Sequence, residues 1–471
     1  MQKFFVAGGL LIVVLGFVYF VAGFFKRDAV KGTVSAPAAL VFYHYGDDAK
    51  VYQSLIAAYQ KKNPKLKVVL KTFDNLGTYE DRLVNEMAEG RGPDLFVMPN
   101  DWFYRHIRKI QPAPTTLMSA DAFRKTFVDT ADRDLIRPDQ AGNLRIFGFP
   151  MYVDSLAAYY NKDQFEDRLP SSGQPSDTWT GFSNDVFQLT KSADGLLQVA
   201  GAALGRADNI STGVDVLYAM MLQLHTELYG KGNRVATFAT TSGGSKNPGI
   251  EALALFTSFA DATQKNYSWN SSFAGTSSAP EVDAFAQGKA SVIFGYSDTY
   301  QKIFDALSQY EARNQPVMNK ASLRVAPFPQ FLNPDASAQK RITLARYMAT
   351  TVSRNSRYSA QAWNLLSFMT NQANLTVYST ETRRPPSRRD LLETFKKDPF
   401  YGVFALQSAY AMSAPIYNDF QFHSLFVDAV TRVVDGRETA TSSLKKAEVS
   451  ASALLPDEGF LGPGPYIPTA K

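Results

Sequence analysis

Between Ala39 and Met98 the chain alternates two apolar patterns, and that alternation limits the folds open to it. Ala39-Leu-Val-Phe-Tyr-His-Tyr45 and Lys67-Val-Val-Leu-Lys-Thr-Phe73 read as strands. Leu95-Phe-Val-Met98 is a short apolar run of the kind shown by a strand buried on both faces. Between these runs Tyr52, Leu55, Ile56 and Tyr59, and then Tyr79, Leu83, Val84 and Met87, recur at helical spacing. Lys61-Lys62-Asn63-Pro64 ends the first helix. Gly90 and Gly92 end the second, predicted over 78–89, and Pro93 forbids a return to helix. A β-α-β-α-β series makes a parallel sheet. Pro99-Asn100-Asp101 breaks the third strand at its carboxyl end, where open α/β sheets bind ligands. Asn100, Asp101 and Trp102 are therefore expected at a cleft.

With 471 residues the chain has room for two or three domains with sizeable cores. A net charge of +5, spread along the sequence, forms no stripe for nucleic acid. Four histidines and no cysteine offer little for a metal site. No His-Glu-x-x-His or Gly-x-Ser-x-Gly spacing occurs. Ser242-Gly-Gly-Ser-Lys246 is followed by Asn247 and lacks the spacing of a phosphate loop, so it reads as a surface loop. Asp47 and Asp101 are a conceivable glycosidase acid–base pair, but no motif supports catalysis over plain hydrogen bonding to hydroxyls.

Gly90-x-Gly-Pro-Asp94, followed by four apolar residues and a polar-aromatic loop, resembles the sugar-binding (family 1, maltose-binding-like) extracellular solute-binding proteins of ABC importers. Two further stretches are similar to that family. Gly148-Phe-Pro150 leads through Leu156–Tyr160 to Tyr160-Asn-Lys-Asp163, and Phe285-Ala-Gln-Gly-Lys-Ala290 leads through an apolar run to Gly295. The resemblance covers roughly 39–455 and implies an α/β, two-lobed, periplasmic-binding-protein-like fold. Each lobe would be a mainly parallel sheet flanked by helices. Lobe one is expected at 39–153 with 325–354, and lobe two at 154–324 with 355–471. The chain would cross near Met151–Leu156, Val325–Phe328 and Ser353–Arg357. Tyr267 and Trp269 are expected to be exposed.

Phe4 to Phe25 is uncharged, flanked by Lys3 and Lys26-Arg27, and roughly as long as one helical crossing of a bilayer. Residues 1–27 are therefore expected to form one N-terminal transmembrane anchor and 28–38 a tether. The alternative is a signal cleaved near Val34-Ser35-Ala36. Lys26, Arg27 and Lys31 would by themselves favour a cytoplasmic body. The resemblance implies an extracytoplasmic one, and the missing cysteine excludes the lipid anchor common in that family.

A sugar site needs aromatic faces for ring C–H groups and polar side chains for hydroxyls. The strand-end loops offer Tyr45 and Asp47; Asn100, Asp101 and Trp102; Tyr152 and Asp154; and Tyr296, Ser297 and Tyr300. The resemblance implies a monomeric receptor, not an enzyme, without cofactor. It would bind a sugar or oligosaccharide and deliver it to the subunits of an ABC permease. The other readings are a surface carbohydrate-processing enzyme or lectin-like module, and a receptor for a non-sugar solute such as a polyamine or peptide.

Overall fold

In chain order the first elements are β1 (Leu40–Tyr45), α1 (Ala49–Lys62), β2 (Val68–Phe73), α2 (Leu76–Ala88) and β3 (Leu95–Pro99). The computed structural model describes residues 39–139, 141–240, 247–273, 277–331, 340–457 and 459–460. The expected anchor, tether and cleavage site lie outside these. Among the described residues no helix is long and apolar enough to cross a membrane. The predicted β-α-β-α-β unit forms. α2 starts earlier than its apolar spacing predicts, because the Asn75 side chain accepts the Thr78 N–H at 2.9 Å and caps it. β3 is buried at every position, as its apolar run requires.

The chain continues through β4 (Phe149–Pro150), β5 (Asp154–Ser155), β6 (Ala157–Asn161), α3 (Trp179–Leu189), α4 (Gly213–Gln223), β7 (Val292–Gly295), α5 (Thr299–Ala312) and β8 (Leu323–Ala326). It ends with β9 (Thr343–Arg346), β10 (Met348–Val352), α6 (Ser359–Met369), α7 (Gln372–Thr382), β11 (Ala411–Met412), α8 (Asp419–Val434) and α9 (Ala440–Ser452).

Lobe one carries a five-stranded sheet in the order β2-β1-β3-β10-β4. β1 runs parallel to β2 and β3, while β10 runs antiparallel to β3 and β4. Lobe two departs from the expected parallel sheet. Its strands lie in the order β7-β6-β8, and both outer strands run antiparallel to β6. The reason is the direction of travel. β6 leaves the junction at Ala157, and β7 returns toward it at Gly295, directly opposite.

The lobe boundaries need correction too. One core gathers Leu40 to Val153 and Ala345 to Val352, together with Trp363, Leu366, Met369, Tyr378 and Leu392. The segment from 355 to 395 thus belongs to lobe one, where Trp363 meets Phe149 edge-on at 5.5 Å between centroids. A second core gathers Leu156 to Leu344 with Phe422, Phe426, Leu444 and Leu455. Val325–Phe328 is no crossing. Val325 pairs with Tyr159, and Phe328 packs 5.3 Å from both Trp179 and Phe294. Ser353 stays in lobe one, its N–H bound to Asp94 O. Pro327 and Pro329 end β8 rather than marking a linker. Trp269 is fully buried, stacked on Phe273 at 4.3 Å, and its Nε1 donates to Asn209 Oδ1.

The crossings are β5, β9 and β11, which pair with one another in the order β11-β9-β5. Gln407, wholly buried, fastens this small sheet: its Nε2 donates to Ser155 Oγ and Leu156 O, and its Oε1 accepts the Phe328 N–H.

Candidate functional site

The carboxyl ends of β1, β3 and β7 and the strand β9 open onto two adjoining chambers. The larger, of about 420 Å³, is lined by Asn100 and Asp101 from lobe one, Asp215 and Tyr218 of α4, and Asp419, Phe420 and His423 of α8. The smaller, of about 240 Å³, is lined by Tyr45 and Asp47 after β1, Tyr152, Asp154, Asp298, Met348 and Arg384. Tyr296 and Arg346 line both. The Arg346 guanidinium sits 5.3 Å from the Tyr296 ring centroid, and the Tyr296 hydroxyl donates to Asp215 at 3.0 Å. Burial works against the Arg346 charge, but Asp215, Tyr296 and Asp298 outweigh it and hold the group protonated.

Arg384 organises the smaller chamber. It pairs with both Asp47 and Asp48 and lies 4.5 Å from the Tyr152 centroid, with that ring stacked on Tyr378. Asp154 accepts the Ser297 N–H at 3.0 Å and its hydroxyl at 2.5 Å. Burial pushes its carboxyl up to about 6, opposed by the Ser297 hydroxyl bond and reinforced by the charge of Asp298.

Of the expected site residues, Tyr45, Asp47, Asn100, Asp101, Tyr152, Asp154 and Tyr296 line one or both chambers. Three do not. Trp102 is 2 % exposed, because the 3₁₀ turn Asn100–Trp102 swings its indole into the core, nearly parallel to the Tyr79 ring. Ser297 is buried and spent on Asp154. Tyr300, on the first turn of α5, packs on Phe304, Phe400 and Tyr401. Asn100 lines the larger chamber but is also structural: its amide accepts the Tyr347 N–H and donates to Ser413 Oγ. The sequence reading missed Asp215, Tyr218, Arg346, Arg384, Asp419, Phe420 and His423. Only Arg384 carried a signal, in the basic run 383–389. Asp47 and Asp101 fall in different chambers, which separates the conceivable acid–base pair. Among the described residues no group of three or more histidines and carboxylates is placed to hold a metal ion.

Asp101 is strongly perturbed. Its Oδ1 is buried without a hydrogen-bond partner among the described residues. Burial first, and then the charge of Asp419, push its carboxyl up to about 7. A raised carboxyl pKa means the folded state holds the proton more tightly than the unfolded chain, so stability falls as pH rises from the ordinary carboxylate range through about 7. Asp101→Asn is therefore expected to be more stable than the parent at pH 8, with the difference shrinking to nothing near pH 4. Denaturant midpoints at the two pH values check this, and an equal difference at both would contradict it.

Residues 54–401 match the family of bacterial extracellular solute-binding proteins. Similar solved structures include a cyclo/maltodextrin-binding protein complexed with maltotetraose. It is 19 % identical with a TM-score of 0.67, over 90 % of this chain and 98 % of that one. The sugar-binding protein MalE from the phytopathogen Xanthomonas citri is 15 % identical with a TM-score of 0.70, over 88 % and 96 %. A solute-binding protein of an ABC transporter from Thermotoga lettingae, bound with alpha-D-tagatose, is 19 % identical with a TM-score of 0.65, over 88 % and 99 %. At these identities the likeness establishes the two-lobed fold.

Proposed function

The chain belongs to the bacterial extracellular solute-binding proteins, which bind solutes and are not enzymes, and from that premise we propose that it captures a sugar or oligosaccharide between its lobes and hands it to an ABC permease. The observation that carries this reading is the pair of chambers where three crossing strands meet, lined by carboxylates and tyrosines from both lobes. Carboxylates and the Arg346 guanidinium suit sugar hydroxyls, and Tyr45 and the exposed Phe420 supply ring faces. Similar structures hold maltotetraose and tagatose. Three paired crossing strands restrict the lobes to a hinge, and a ligand closes them only through contacts absent from the open state.

A thermal-shift panel of mono- and oligosaccharides tests the reading, because a ligand at about 100 times its Kd adds about 2.7 kcal/mol. The sugar that raises the melting temperature is expected to reduce the radius of gyration in small-angle scattering at saturation. A panel without a single shift would overturn the sugar assignment, and an unchanged radius would overturn the hinge.

The apolar run Phe4–Phe25 is proposed as an uncleaved anchor that keeps the body on the outer face of the membrane. Amino-terminal sequencing of membrane-purified protein is expected to start at or near Met1. A start near Pro37 would mean a cleaved signal instead.

A further inference from the structure

We propose that the larger chamber selects a solute carrying a protonated amine, and that an aminated sugar is its occupant. This rests on the sugar-receptor reading and goes on to assign the charge of the ligand. The argument starts from which carboxylates are already committed. In the smaller chamber Asp47 is paired with Arg384, Asp154 is bound by Ser297, and Asp298 is paired with Lys302 at 2.8 Å. In the larger chamber, among the described residues, Asp215 accepts one phenolic hydroxyl, Asp419 meets Arg105 at 3.7 Å, and Asp101 Oδ1 has no hydrogen-bond partner. Three aspartates thus line a chamber with Arg346, which is shared with the smaller chamber, and His423, while Arg105 beside Asp419 is held closer by Glu80.

A second observation is independent of the acids. Tyr218 is 6 % exposed and lines this chamber, and its hydroxyl has no hydrogen-bond partner among the described residues. A buried phenol without a partner, beside an open carboxylate oxygen, marks a place built to be completed by a bound group. Neutral hydroxyls would satisfy the hydrogen bonds but leave negative charge to be desolvated when the lobes close. An ammonium group satisfies the same oxygens and cancels that charge. Phe420, 81 % exposed on the first turn of α8, offers a ring face at the mouth of the chamber for either a sugar face or a cation.

Calorimetric titration of the full-length chain at neutral pH tests this with four probes: a glucosamine tetramer, its N-acetylated counterpart, maltotetraose and spermidine. The glucosamine tetramer is expected to bind at least about 10-fold tighter than the other three, the value of one charge-assisted contact. Asp101→Asn and the half-buried Asp419→Asn are each expected to cost the glucosamine tetramer about 10-fold more than they cost the N-acetylated tetramer. Equal or tighter binding of the N-acetylated or neutral tetramer would overturn the charge assignment and leave the sugar receptor standing. Tight binding of spermidine with no response to any sugar would overturn the sugar frame. No heat with any probe would overturn the proposal as a whole.

Discussion

Trp179→Ala is expected to lower the unfolding free energy by about 3–5 kcal/mol, the range for deleting a fully buried indole. Trp179 opens α3 and is 2 % exposed. Its ring meets those of Phe182, Phe294, Phe328 and Phe331, with centroids 5.3–6.1 Å apart. These come from a helix, a sheet strand and the loop after β8, so no single neighbour can collapse into the gap. Denaturant unfolding followed by circular dichroism measures the loss, and a change below about 1 kcal/mol would show that the site repacks.

Gln223→Leu is expected to cost at least about 3 kcal/mol, although leucine is similar in size and apolar. The Gln223 amide is 5 % exposed and its hydrogen bonds run in four directions. Nε2 donates to Pro329 O at 2.9 Å and Ile342 O at 2.8 Å. Oε1 accepts Trp179 Nε1 at 3.0 Å and the Phe331 N–H at 3.2 Å. Leucine takes the amide away from all four and leaves Pro329 O, Ile342 O and the Trp179 indole N–H to be satisfied elsewhere, and each buried group left unpaired costs about 1–3 kcal/mol before water reaches it. Ile342 directly precedes β9, so the same change loosens the strand that carries Arg346. Because the two substitutions share the indole–amide bond, the double variant is expected to lose less than the sum of the single losses. Strict additivity would mean that the bond contributes nothing.

Trp179 and Gln223 hold lobe two and its exit strand in one piece. The chemistry of the cleft depends on side chains that the crossing sheet brings into line.

Much of lobe one was legible in the chain. Helical spacing from Tyr52 to Met87 and the apolar run Leu95–Met98 are local patterns, and local sterics and capping decide them. Asn161 and Thr178 cap their helices as their residue types predict, accepting the Asp163 and Gly181 N–H groups. Asn100 and Asp101 follow from the same logic, since a strand that ends at a proline must present its next residues at the sheet edge. What only the tertiary structure decided was the company those residues keep. Asp215 and Tyr218 lie on one helix and Asp419, Phe420 and His423 on another, far apart in the chain. A helical period tells which face is apolar, but not what stands opposite it. The crossing strands run from two to four residues, too short to carry a period, so β9 and Arg346 were invisible and the crossings were misplaced. Trp102 belongs to the same class: one turn of backbone decides between cleft and core, and in the core the indole lies against Tyr79, twenty-three residues earlier in sequence.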